Sequence, residues 1–147
     1  MKKNELKKRL NELLTDQRLA VLSSNMKGRP YPNLIAFAHT DDLKYLFFAT
    51  LRNSIKYTNI KNDPKISMLI DNRGNLPSDI SKAIAVSVFG TAAEIDCEDE
   101  NCMDVYLKKH PYLKDFLNMP GCALLKIKVE RFQVVSNFQN VETLQIG

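Results

Sequence analysis

Leu6, Leu10, Leu13 and Leu14 recur at i, i+4, i+7 and i+8 in an otherwise charged segment, and this single apolar stripe predicts an amphipathic helix over residues 4–14. Burying each leucine is worth about 1.5–3 kcal/mol. The stripe is therefore expected to dock on a sheet with its lysine-rich back solvated, a membrane surface being the lesser alternative. Beyond it the period changes. Residues 18–24 (RLAVLSS) and 31–38 read as strands on either side of the turn-forming run Asn25 to Pro30, in which Gly28 can take a positive φ. Pro30 and Pro32 lack an amide donor and confine the start of the second strand to an edge or an irregular region. Thr40-Asp41-Asp42 makes a further tight turn into the apolar run Tyr45–Ala49. Consecutive strands on short turns predict an antiparallel meander, unlike the parallel sheets that bind nucleotides, and neither GxGxxG nor GxxxxGKS/T occurs.

From Ala49 the chain runs through Thr50, Leu51, Arg52 and Asn53 into a short polar helix beginning near Ser54, which Pro64 ends before residues 65–71 form another strand. A strand feeding a helix N-terminus flanked by Arg52, Lys56 and two hydroxyls can cradle a phosphate. The helix offers unpaired N–H groups and the positive end of its dipole, and the cations neutralise the anion. The bland alternative is a corner whose basic residues are simply solvated. Residues 72–81, with Asn, Gly, Pro, Ser and Asp, read as a loop. Residues 83–95 form a long strand in which Gly90 marks a bulge, a barrel bend or a close approach of another backbone or ligand. Glu98, Asp99 and Glu100 open a helix that Lys108 and Lys109 close, as the helix dipole favours. A second helical piece follows over 111–117, with Tyr112, Leu113 and Phe116 on one side. Two strand-like stretches, 123–129 and 131–136, precede a tail over 137–147. Six or seven mostly antiparallel strands with little strict alternation predict a mainly β, α+β domain built on a closed or nearly closed barrel.

At 147 residues the chain is long enough for one domain with a core of its own. Its 44% hydrophobic and 26% charged content is that of a folded globular protein. No apolar run approaches a membrane helix, no signal-peptide core is present, and a cytoplasmic protein is expected. The net charge of +4 resides wholly in residues 1–9, where Lys2, Lys3, Lys7, Lys8 and Arg9 face only Glu5. The rest is balanced, with no basic docking face for nucleic acid. Cys97, Cys102 and Cys122 are odd in number, lack the spacing of zinc sites, and read as free structural thiols.

Candidate chemistry is sparse. His39 and His110 are the two histidines and neither sits in a catalytic or metal-binding pattern. His39 is a strand-end residue or a ligand contact, and His110 a cap or surface residue. The acidic run from Glu94 to Glu100 lacks EF-hand spacing and reads as a solvated face. No metal ligands and no catalytic residue emerge, so any chemistry is expected to come from a cofactor.

The order of these features carries a resemblance. An amphipathic helix, RLAVLSS, a Gly-Arg-Pro turn, PNLIAFAH, the pattern T-x-R-x-S-x-K leading to N-D-P-K and an apolar strand, AVSVFGTAAEI, KKHPYLKDF and a closing strand pair follow in turn. Over roughly residues 10–136 the chain resembles the pyridoxamine 5′-phosphate oxidase-like family of FMN-binding split β-barrels. The resemblance implies that Thr50, Arg52, Ser54 and Lys56 hold the phosphate and ribityl chain of FMN. It also implies that Asn33, Leu34, Ile35 and Ala36, with Phe48 and Ala49, line the isoalloxazine largely through backbone groups. A homodimer with flavin sites between subunits is implied as well, acting as an oxidoreductase on an unknown small molecule. A deazaflavin-dependent reductase and a non-catalytic flavin-storage protein are the alternatives. The substrate-binding Arg and His of the oxidase proper, and the C-terminal histidine motif of haem-degrading relatives, have no counterpart before the chain ends at VETLQIG, and Trp is absent. Vitamin B6 oxidation is therefore not expected.

Overall fold

A computed structural model describes residues 2–96 and 100–147, the side chain of Glu100 excepted. Helix α1 (Lys3–Asp16) leads into strands β1 (Leu19–Met26), β2 (Arg29–His39) and β3 (Tyr45–Leu51). Helix α2 (Ile55–Asn62), β4 (Lys65–Asp71), α3 (Asp79–Lys82) and β5 (Ala85–Ile95) follow. The chain closes with α4 (Glu100–Lys109), a single 3-10 turn (Pro111–Leu113), α5 (Lys114–Leu117), β6 (Cys122–Ser136) and β7 (Asn140–Gln145). The sheet order β3-β2-β1-β4-β5-β6-β7, with β3 also paired to β6, closes six antiparallel strands into a barrel and leaves β7 along the free half of β6.

The meander follows from local chemistry. Lys27 and Gly28 both take positive φ, 52° and 89°, the twist that a two-residue hairpin turn between β1 and β2 demands. The proline-bearing start of β2 pairs with β1 alone, because β3 joins β2 only at Phe37, Ala38 and His39. The missing Pro30 and Pro32 amides thus leave no gap between β2 and β3.

Gly90 is both a bulge and a close approach. Phe89 faces Arg131 and Gly90 faces Val129, so Glu130 is the extra residue, and a Cβ at position 90 would stand 2.4 Å from the Lys128 carbonyl oxygen. That bulge explains a correction. The two stretches read as separate strands are one strand of 15 residues, β6, whose alternation is interrupted at Glu130. The residues read as a tail carry β7, joined through Asn137 and Phe138 at φ 48° and 72°. The 72–81 loop extends into α3, and of the acidic residues expected to open α4, Glu98 and Asp99 lie outside the described residues.

The barrel interior holds the main core, from Leu22, Phe37 and Phe48 to Val88, Ile127 and Phe132. The four leucines of α1 are buried in it, as the stripe predicted. A second cluster lies outside the barrel, where Ala38, Phe47 and Leu124 meet Tyr106 of α4 and Leu117 of α5. No described helix is long and apolar enough to cross a membrane.

Candidate functional site

The strand β3 enters the Thr50–Lys56 corner with side chains alternating across the barrel wall. Phe48 points into the interior core, whereas Ala49 packs on the outer cluster beneath α4. Ser54 caps α2 by accepting a hydrogen bond from the Tyr57 amide (3.3 Å) while donating to the Leu51 carbonyl (2.7 Å). Because its one proton is committed to Leu51, the 2.9 Å contact with Thr50 Oγ1 has threonine as donor. Thr50 is 2% exposed, so this hydroxyl relay fixes the corner from inside.

Beside it lies a pocket of about 370 Å³ between β2, β3, the start of α2 and the α4–α5 wall. Leu34, Ile35, Ala36, Ala49, Thr50, Ser54 and Lys56, all expected from the sequence, line it. Lys56 is half-buried, and burial pulls its ammonium below the usual lysine range. It makes no ion pair among the described residues. A cation in a largely apolar pocket without a counter-charge is set to receive an anion.

Three expected residues stand elsewhere. Phe48 is wholly buried in the barrel core and its strand is paired on both sides there. Asn33 does not line the pocket, and its Oδ1 is buried with no hydrogen-bond partner among the described residues. Arg52 is turned to β5, where its Nε and Nη2 donate to the two carboxylate oxygens of Glu94 at 3.2 and 3.0 Å. The Tyr57 hydroxyl donates to the same carboxylate at 2.6 Å. Hydrogen bonds from Arg52 and then Tyr57 hold the Glu94 carboxyl below its usual range.

The sequence reading missed the pocket's opposite wall, Tyr106, Leu113 and Phe116. The signal for the last two was present in the apolar side of the 111–117 piece, but nothing local aims Tyr106 at β2. Its hydroxyl donates to the Ala36 carbonyl at 3.1 Å, and burial pushes its pKa up to about 12. His110 holds the N-cap position of the 3-10 turn, as one of its two expected roles had it, but with no side-chain cap bond, and it is buried, which corrects its assignment to the surface. Its Nε2 lies 2.7 Å from the Phe37 carbonyl and so carries the proton, leaving Nδ1 to accept from the Tyr112 hydroxyl at 2.9 Å. His39 lies away from this pocket, in a cleft with Lys108 and Lys109, its Nε2 3.0 Å from Asn11 Oδ1. Among the described residues no group of three His, Cys, Asp or Glu could hold a metal ion.

Comparison with known proteins places this scaffold. Solved structures of similar shape include the general stress protein 26 of Bacillus anthracis, 24% identical, with a TM-score of 0.71 over 97% of this chain and 99% of that one. An FAD-binding protein of Mesorhizobium loti is 18% identical, with a TM-score of 0.70 over 93% of each chain. A heme binding protein of Mycobacterium smegmatis is 11% identical, with a TM-score of 0.83 over 95% of this chain, which spans 57% of that longer one. At these identities the likeness speaks for the fold. No curated protein matches the sequence. The profile of the family described as pyridoxamine 5′-phosphate oxidase matches residues 6–136, from the first leucine of α1 to the last residue of β6. By that match, on a closed antiparallel barrel of the kind expected, the chain belongs to the pyridoxamine 5′-phosphate oxidase family.

Proposed function

We propose that the protein binds FMN in the pocket beside α2 and works as a flavin-dependent oxidoreductase on a small molecule. The observation that carries this is Lys56, an unpaired, half-buried ammonium at the start of a helix and at the edge of an apolar pocket. Family membership supports the flavin. The solved relatives include an FAD-binding and a heme binding protein. Heme needs an axial nitrogen, sulfur or phenolate ligand. Among the described residues the pocket lining offers neither His nor Cys, and its one Tyr has its hydroxyl proton committed to the Ala36 carbonyl. A flavin needs no such ligand.

In this reading Lys56 neutralises the phosphate, and the free amides of the first turn of α2 add partial positive charge. Ala36, Ala49, Leu34, Leu113 and Phe116 exclude water around the ring. A bound flavin supplies hydride or electron exchange, and the chain supplies position and shielding. The hydroxyls of Thr50 and Ser54 hold the loop rather than the anion, since their protons are committed to Ser54 and Leu51. Arg52 contributes through long-range charge, its fork being occupied by Glu94.

The same reading includes a homodimer. Val21 faces Leu34 on one side and Leu69 on the other, and Leu19 lies next along β1, an apolar strip on the outer sheet face with Leu34 63% exposed. Exposed contiguous apolar surface marks an interaction site. Leu34 belongs to both strip and pocket, so a second copy seated on the strip would complete the flavin site. The direct test is the visible spectrum of the purified protein and the mass of any chromophore it releases. Bound FMN is expected; a colourless protein that takes up none overturns the proposal.

A further inference from the structure

The pocket exists because two strands that pair at one end come apart at the other. β2 and β3 pair at His39↔Leu46, Ala38↔Phe47 and Phe37↔Phe48, and the next rung of that register would set Ala36 opposite Ala49. That rung does not form. The Tyr106 hydroxyl stands there instead, donating at 3.1 Å to the Ala36 carbonyl, the group that the Ala49 amide would otherwise face. In an antiparallel ladder these two groups would bond each other directly. A buried phenol has therefore taken the carbonyl end of a backbone hydrogen bond that would otherwise close the seam. Both alanines line the pocket.

The wedge is braced. His110, four residues on and just past the end of α4, donates to the adjacent carbonyl of Phe37, and the Tyr106 and His110 rings lie 5.2 Å apart. Tyr106 is 1% exposed, so no solvent molecule substitutes for it readily. We propose that Tyr106 is a positioning residue that keeps the β2–β3 seam open, and that without its hydroxyl the seam zips by one rung and the cofactor pocket narrows. The consequence for binding rests on the flavin reading above; the wedge itself does not.

The test uses the full-length protein and Tyr106→Phe, which keeps the ring and removes only the wedge. In the wild type no 36–49 cross-strand contact is expected by NMR. In Y106F that contact is expected to appear and the Kd for FMN to rise by about tenfold. Leu117→Ala, which trims the same outer cluster from α5 and lies outside the pocket lining, should leave the Kd for FMN within about twofold. Equal losses in both variants would mean generic destabilisation and overturn the proposal, as would wild-type affinity in Y106F or a 36–49 cross-strand contact in the wild type. If the wild type takes up no FMN, the flavin reading fails and the 36–49 contact alone decides the wedge. Should Y106F not fold, the presence or absence of that contact in the wild type decides it.

Discussion

Lys56 and Arg52 lie four residues apart at one corner, yet their surroundings differ in sign. Arg52 has a carboxylate on its fork and Lys56 has none among the described residues. Hydrogen bonds to charged groups are worth about 1.5–3 kcal/mol. Lys56→Ala should therefore weaken FMN binding by about tenfold or more, measured by titration calorimetry, while leaving riboflavin nearly unaffected. Arg52→Ala should cost FMN less than about threefold. A larger loss in R52A than in K56A would show that the guanidinium leaves Glu94 for the phosphate. His39 gives a second residue-scale prediction. Burial first, then the nearby Lys109, depresses its pKa to about 4 from 6.5, with Asp41 opposing. Between those values the unfolded chain binds more protons, so stability is complete above about pH 6.5 and falls as pH drops towards 4. The urea midpoint should decline over that window, and His39→Asn should flatten the decline.

Elements in this fold are set by where backbones come close. At Gly90 a methyl group would meet the Lys128 carbonyl at 2.4 Å, and backbone cannot step aside as a side chain can. Gly90→Ala should destabilise by about 1–3 kcal/mol in chemical denaturation, the usual cost of overpacking. An unchanged midpoint would mean that the bulge at Glu130 can slide. Gly90, the Lys27-Gly28 turn and the leucine stripe of α1 were legible in the sequence because each is a local pattern with one physical solution. So was the T-x-R-x-S-x-K corner as a unit. Which of its cations enters the pocket was not, because Glu94, 42 residues on, takes Arg52 only once β5 has been laid beside α2. The continuity of β6 was hidden by the bulge, and Tyr106 by its dependence on a register formed between two other elements.

At the scale of the molecule, the barrel encloses one core and builds its pocket outside the wall, against α4 and α5. At about 370 Å³ that pocket is near the lower end for small-molecule sites, which fits a second copy adding the rest of the enclosure. Sedimentation should give a dimer, and Leu69→Lys on the exposed strip should shift it towards monomer and weaken FMN retention together. Monomeric protein that holds FMN as tightly would confine the site to one chain. Family membership fixes the scaffold, and the proposed use rests on an anion bound at Lys56. The decisive measurement is a paired titration of the wild type with FMN and with riboflavin, which differ only in the phosphate. Tight uptake of FMN with riboflavin at least about tenfold weaker is the expected result; equal affinity for the two, or uptake of neither, would contradict the assignment of this pocket as a flavin-phosphate site.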